Sequence, residues 1–224
     1  QPRFAMEILM DMAAEKLGMT PLQIRLLNAV ESGHTCRSMM YVPHTEYKKT
    51  LQTAADNCDF EAKYGHLPFG EGVGISGGYY ISGTSYTLYL SYKPHTVANV
   101  KIENENNVVL FCGTTDIGQG VDMVMAQMAA ETLGIRSEDV KVVSRDTELA
   151  TFDLGTFASR VTYASGWAIR RACEAANQLL FPVAAAIMGC RGQEVGVKDY
   201  QFYSIYEKKR KNVDWNEVVD QYIF

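Results

Sequence analysis

The sequence predicts an α+β protein, an antiparallel-rich mixed sheet flanked by helices. Three observations predict it. Apolar residues recur at helical spacing at the start of the chain and again after residues 120 and 160. Between Gly70 and Gly113 the texture changes to Gly, Tyr, Ser, Thr and Val with a period of two, which is the strand pattern. Within that region the polar turn ENENN joins two alternating runs as a hairpin, so the pairing there is antiparallel.

Taken in order, FAMEILMDMAAEKLGM places Phe4, Ile8, Leu9, Met12 and Leu17 at helical spacing and stops at Gly18. Thr20 then stands as a capping residue before Pro21, with Gln23 as its capping-box partner, and opens a short helix through Ile24, Leu27 and Val30. Residues 31–43 read as loop, and Thr45 to Asp59 as a third helix with a charged outer face. Strands follow in TSYTLYLSY and in NVKIENENNVVLF, whose asparagines suit the positive-φ positions of a tight turn. Helix resumes near Gly120, with Val121, Val124, Met125 and Met128 on one face, and ends at Gly134; DVKVVS is a short strand. Residues 146–160 form a loop. Beyond it lies a long small-residue helix that Pro182 is expected to kink or restart. VGVKDYQFYSIYEK reads as a strand pair, and a last helix starts after Asp214. By this pattern residues 1–69 form a helical part and residues 70–224 a part of mixed sheet and helices.

Composition excludes several roles. The 224 residues are 47% hydrophobic, ample for a packed core. Lys and Arg number 21 against 26 Asp and Glu, a net charge of -5, which is the wrong balance for gripping a phosphate backbone, so no nucleic acid is expected. No apolar run has the roughly 18 residues of a membrane span, and the first residues lack the apolar core of a signal peptide. Five widely spaced cysteines without a CxxC pair suit thiols of a reducing compartment, hence the cytoplasm. Four scattered histidines form no metal-binding spacing, so any metal must be gripped by something other than protein side chains. Helical patterning begins at Phe4 with no cap ahead of it and continues to the last residues, so the sequence is expected to be an internal piece of a longer chain.

Three glycine-rich stretches compete for chemistry. Gly72 to Gly77 matches GxGxxG, but strand-like residues follow where a dinucleotide site needs a helix, so the glycines read as easing a strand entry. GTTDIGQGVD, from Gly113 to Asp122, carries a strand through Gly118 and Gly120 into a helix whose first N–H groups and positive dipole end suit an electron-rich oxygen. Gln119 adds a neutral NH2 donor at its tip; the plainer reading is a left-handed glycine turn with Gln119 simply exposed. In Gly155-Thr-Phe-Ala-Ser-Arg160-Val-Thr162, small residues and hydroxyls let backbone N–H groups converge, and Arg160 offers a planar fork for phosphate. The plainer reading there is an N-cap by Ser159.

The pair G113-TTDIGQG120 and T156-FASRVT162, with the opening QPRFAMEILMDMAAEKLGMTPLQIRLLN, resembles the molybdenum-binding large subunit of the xanthine dehydrogenase and aldehyde oxidase family. The resemblance implies the molybdopterin-binding domain of that family and a molybdopterin cofactor, plain or as its cytosine dinucleotide, whose dithiolene holds the molybdenum. It places Ile117, Gly118 and Gln119 near the metal and pterin, with Gln119 as the catalytic contact. Thr156, Phe157, Ala158, Ser159, Arg160, Val161 and Thr162 would wrap the pterin and its phosphates, and residues around Ser85 to Tyr89 would fall along the substrate channel. The implied reaction is hydroxylation of aldehydes, purines or other heteroaromatic compounds, with water as oxygen source, or chemistry on an aromatic thioester. Electrons would leave through iron–sulfur clusters to FAD in partner domains or subunits.

The FGG-type and RGxG segments upstream in the family, and the downstream GE motif with its catalytic glutamate, are not found here. Glu131 and Glu138 read as solvated helix charges. The chain is therefore expected to be the middle part of a catalytic subunit, inactive and without bound cofactor by itself. A scaffold or assembly domain, with both turns purely structural, is the alternative.

Overall fold

The computed structural model describes residues 2–80, 96–103, 106–206 and 211–223. These fall into two compact units, one ending at Tyr80 and the other holding the described residues from 96 onward. The expected strand TSYTLYLSY and residues Ser85 to Tyr89 lie outside the described residues.

In the first unit, α1 (Pro2–Leu17) stops where Gly18 turns left-handed at φ 66. Helix α2 (Pro21–Asn28) starts with the expected capping box: the Gln23 N–H donates to Thr20 Oγ1 at 3.2 Å and the Thr20 N–H to Gln23 Oε1 at 2.9 Å. The expected apolar face of α1 is not the one it buries. Phe4, Ile8, Leu9, Met12 and Leu17 are exposed, and Ala14 is the buried residue of the helix. The contact with α2 runs instead along the Glu7–Asp11–Ala14 stripe, because Arg25 of α2 is buried there with Nε on Glu7 at 2.8 Å and Nη1 on Asp11 at 2.7 Å. Burying a guanidinium requires carboxylates beside it, and that requirement sets the rotation of α1.

The stretch expected as loop holds a two-residue hairpin, β1 (His34–Thr35) with β2 (Tyr41–Val42). Helix α3 (Tyr47–Asn57) and the single turn α4 (Phe60–Lys63) complete a small core of Leu22, Leu51, Ala55 and Phe60. Residues 70–80 form no strand. Five glycines leave too few side chains to support a ladder, and Val73 and Ile75 pack on this core instead.

In the second unit, β3 (Ala98–Ile102) pairs antiparallel with β4 (Val108–Cys112), Ala98 opposite Cys112 and Ile102 opposite Val108. Asn106 takes the left-handed position in the turn at φ 59, as its residue type predicts. From β4 the chain passes through α5 (Val121–Leu133) and returns as β5 (Val140–Val143), parallel to β4. The sheet order is β3-β4-β5, so the fold is α+β with a mixed sheet.

Helix α6 (Val161–Met188) runs unbroken through Pro182. It does not restart there, since Leu180, Ala184 and Ala185 are buried on both sides of the proline and hold the helix against the roughly 3 kcal/mol that an interior proline costs. A second antiparallel sheet, β6 (Val195–Lys198), β7 (Gln201–Ser204) and β8 (Val213–Asp214), with α7 (Trp215–Ile223), closes the far end of the core. The core itself joins Val108, Leu110, Met125, Leu133, Ile169, Leu180, Phe202 and Trp215. Among the described residues no helix is long and apolar enough to cross a membrane.

This arrangement places a site. β4 and β5 are parallel, so residues 113–120 and 144–160 leave the sheet at the same, carboxyl, edge, and each segment feeds a helix. In open α/β sheets that edge is where ligands bind.

Candidate cofactor site

The two segments singled out in the sequence are joined. Thr156 Oγ1 donates to the Thr115 carbonyl at 2.6 Å and accepts the Thr115 N–H at 3.3 Å, stitching the GTTDIGQG turn to the GTFASR turn. Each turn opens a helix without a side-chain cap: Gly120 precedes α5 at φ 72, and Arg160 precedes α6. The plainer reading of Ser159 as an N-cap is excluded. Ala158 and Ser159 sit at φ 49 and 53, and the residue at the capping position is Arg160. Uncapped first turns leave N–H donors and positive dipole ends at the same edge of the sheet.

The predicted residues divide by exposure. Ile117, Gly118, Gln119, Ser159 and Thr162 are exposed, and Thr156 and Phe157 are half-buried. Ala158 and Val161 point into the protein, so only their backbone can meet a ligand. Arg160 departs from expectation: it is fully buried, with Nη1 on Asp153 Oδ1 at 2.5 Å and on the Gly155 carbonyl at 2.9 Å, and its guanidinium lies 5.8 Å from the Phe157 ring. A buried guanidinium is stable only when paired, so its fork is turned to the protein and not outward to a phosphate.

Gln119 also differs from the open donor the sequence suggested. Its Oε1 accepts the Ile117 N–H at 2.7 Å and its Nε2 donates to the Thr115 carbonyl at 3.2 Å, while Asp116 Oδ1 takes the Gly118 N–H at 2.7 Å. The amide thus braces its own turn. Releasing it exchanges two exposed hydrogen bonds, each worth about 1 kcal/mol net, so the side chain remains able to swing outward.

Beneath the first turn, Cys112 lies buried with Sγ 3.2 Å from Thr114 Oγ1. Burial pushes its thiol up from the ordinary range despite the hydrogen bonds from Thr114, so it is a neutral floor to the site. Nearby, Asp122 in the first turn of α5 accepts from Ser144 at 3.0 Å and pairs with Arg145.

Sequence reasoning missed the group that organises the second turn, Asp153. Its side chain is fully buried; Oδ1 holds Arg160 and, at 2.7 Å, the Gly155 N–H, and Oδ2 accepts from Ser165 at 2.9 Å and from Thr96. The legible signal was an Asp two residues before a glycine, the pattern of an Asx turn.

The donor set left at the surface is backbone N–H groups, hydroxyls and one carboxamide. No group of three or more His, Cys, Asp or Glu gathers among the described residues. Such a set fits a phosphorylated, electron-rich ligand that brings its own metal chelate, and does not fit a bare metal ion.

Comparison with known proteins agrees with that chemistry. Residues 49–224 match the model of the molybdopterin cofactor-binding domain family. The chain is 32% identical over 194 residues to the xanthine dehydrogenase molybdenum-binding subunit of Escherichia coli O157:H7, covering 83% of this chain and 25% of that subunit. It is 32% identical over 184 residues to the aldehyde oxidoreductase of Megalodesulfovibrio gigas, covering 78% of this chain and 19% of the relative. The fold is similar to that of quinoline 2-oxidoreductase from Pseudomonas putida 86, with a TM-score of 0.62 at 21% identity over 97% of this chain and 29% of that one. The chain spans about a quarter of the length of the first of these relatives. With two uncapped helix starts joined at one edge of its sheet, it belongs to the molybdopterin cofactor-binding domain family, among the molybdenum-binding subunits of the xanthine dehydrogenase and aldehyde oxidase type.

Proposed function

We propose that the chain supplies part of the pocket for a molybdopterin cofactor in an oxidoreductase that hydroxylates aldehydes, purines or other heteroaromatic compounds, or acts on an aromatic thioester. The observation that carries this reading is the Thr115–Thr156 junction, which brings two helix-opening turns together at one edge of the sheet. When bound, the molybdenum cofactor supplies the oxidation, with water as the source of oxygen. The chain's own residues bind and orient. Backbone N–H groups at the starts of α5 and α6 receive the pterin and its phosphates, with the hydroxyls of Ser159 and Thr162 beside them. Gln119, released from Thr115, donates its NH2 to a ligand of the metal or to the pterin, stabilising charge without adding any. Arg160 acts from within, shaping the turn that the phosphates meet.

The proton-abstracting glutamate belongs outside these 224 residues, so the chain alone is inactive and binds no cofactor. Iron–sulfur clusters and FAD belong to partner domains or subunits, the pterin is plain or a cytosine dinucleotide, and the five free thiols suit the cytoplasm.

Molybdenum and pterin analysis of the complete gene product tests the reading, with near-stoichiometric content expected; absence of both would mean a scaffold. A Gln119→Ala variant is expected to lose turnover at least tenfold while retaining its fold and its molybdenum. Unchanged turnover would remove Gln119 from the mechanism.

A further inference from the structure

Three separate pieces of the second unit converge on one carboxylate. Asp153 Oδ1 takes the Gly155 N–H and the Arg160 guanidinium, both from the cradle turn, while Oδ2 takes Thr96, ahead of β3, and Ser165, in the second turn of α6. The backbone continues the junction: Thr96 and Asp153 form an antiparallel bridge, and the Val97 N–H donates to the Phe152 carbonyl at 2.9 Å. The exit of β4 is pressed against the same node, since a Cβ on Gly113 would lie 2.8 Å from Asp153 Cβ.

A carboxylate accepts about four hydrogen bonds, so this one has its full complement. None of its neighbours can rotate away without leaving a donor unpaired in a buried place. The turn it holds carries two consecutive non-glycine residues at positive φ, Ala158 and Ser159, a conformation that persists only where surrounding structure over-determines it.

We propose that Asp153 is the positioning residue of the cofactor cradle. It locks the Gly155–Arg160 turn in its receiving shape before any ligand arrives, and it consumes the Arg160 charge so that the cradle offers neutral N–H donors. This rests on the reading of the site as a molybdopterin pocket, but the preorganisation it asserts is a property of the cofactor-free protein. Asp153 touches no reacting atom; it acts through Gly155 and Arg160.

The test uses the complete gene product with Asp153→Asn, with Ser165→Ala as a milder variant that removes one donor to the same carboxylate. Leu180→Ala, in the core of α6 away from the turn, serves as a control for lost stability. Hydrogen exchange is read on protein made in a host unable to synthesise the cofactor, and molybdenum and pterin content on protein from a replete host. Asp153→Asn is expected to speed exchange of the amides of residues 155–160 at least tenfold more than those of β4, and to lower cofactor content several-fold. Ser165→Ala should move both in the same direction by less, and is decisive should Asp153→Asn fail to fold. The proposal is overturned if Leu180→Ala, at equal loss of thermal stability, loses as much cofactor, or if exchange at 155–160 is unchanged in the Asp153 or Ser165 variants. Replete wild-type protein without molybdenum or pterin would instead overturn the reading of the pocket, and the exchange result would still decide the role of Asp153.

Discussion

Replacing Gly113 by alanine probes the join between the two turns with a single methyl group. The added Cβ would lie 2.3 Å from the Thr151 carbonyl oxygen, where an ordinary carbon–oxygen contact is about 3.3 Å. The obstacle is backbone, so the 151–153 segment must retreat by about 1 Å, an overpacking that costs about 1–3 kcal/mol. In retreating it loosens the Thr151 hydroxyl from the Val97 carbonyl and from the Phe111 carbonyl at 3.4 Å, a further loss of about 1 kcal/mol. The sum, about 3 kcal/mol, lowers the melting temperature of a unit of this size by roughly 10 °C. Thermal unfolding of the 224-residue chain followed by circular dichroism reads the shift. Gly166→Ala is the matched comparison, since its Cβ would meet only the mobile end of Met128, Cε at 2.4 Å and Sδ at 2.6 Å. That side chain can swing aside, and alanine in a helix gains about 1 kcal/mol over glycine, so little net change is expected. A Gly113→Ala protein melting within about 2 °C of wild type, or no more destabilised than Gly166→Ala, would show that the turns are not held by this contact.

Two further outcomes follow from elements already described. Thr20→Ala removes the capping box of α2 and is expected to cost about 1 kcal/mol, read as faster hydrogen exchange confined to residues 20–28; exchange equal to wild type would remove the cap from the account. Burial pushes the Cys173 thiol, in the middle of α6, up to about 12 from its ordinary 9.0. A raised thiol pKa favours the folded state fully below pH 9 and less as pH rises toward 12, because only the unfolded chain ionises in that window. The native protein should therefore leave Cys173 unlabelled by a thiol reagent at pH 8 while half-buried Cys36, Cys58 and Cys190 react, and labelling of Cys173 at that pH by peptide mapping counts against the burial.

Local rules that depend on a few adjacent residues were legible in the sequence. The Thr20–Gln23 box, the glycine stops at Gly18 and Gly134, the asparagine turn and the long α6 all follow from residue types at fixed offsets. What was not legible depended on long-range compensation. The face buried by α1 was set by Arg25, eight residues beyond the helix, and the inward turn of Arg160 by a carboxylate seven residues earlier. Strand texture in residues 70–80 was overridden by glycine content and by the use of Val73 and Ile75 as plugs for a neighbouring core. At the site, the two turns could be picked out as chemistry, but their junction through Thr115 and Thr156 lay 41 residues apart in sequence and needed the parallel return of β5 to appear.

The ladder between β4 and β5 ends at the pair Phe111 and Val143, and every group able to meet a ligand lies past that point. Scaffold and grip are therefore separately heritable. Exchanges at the exposed positions of the turns, such as Ile117 or Ser159, touch neither the paired register nor the Asp153 node, so a lineage can retune what is recognised without first refolding what recognises it.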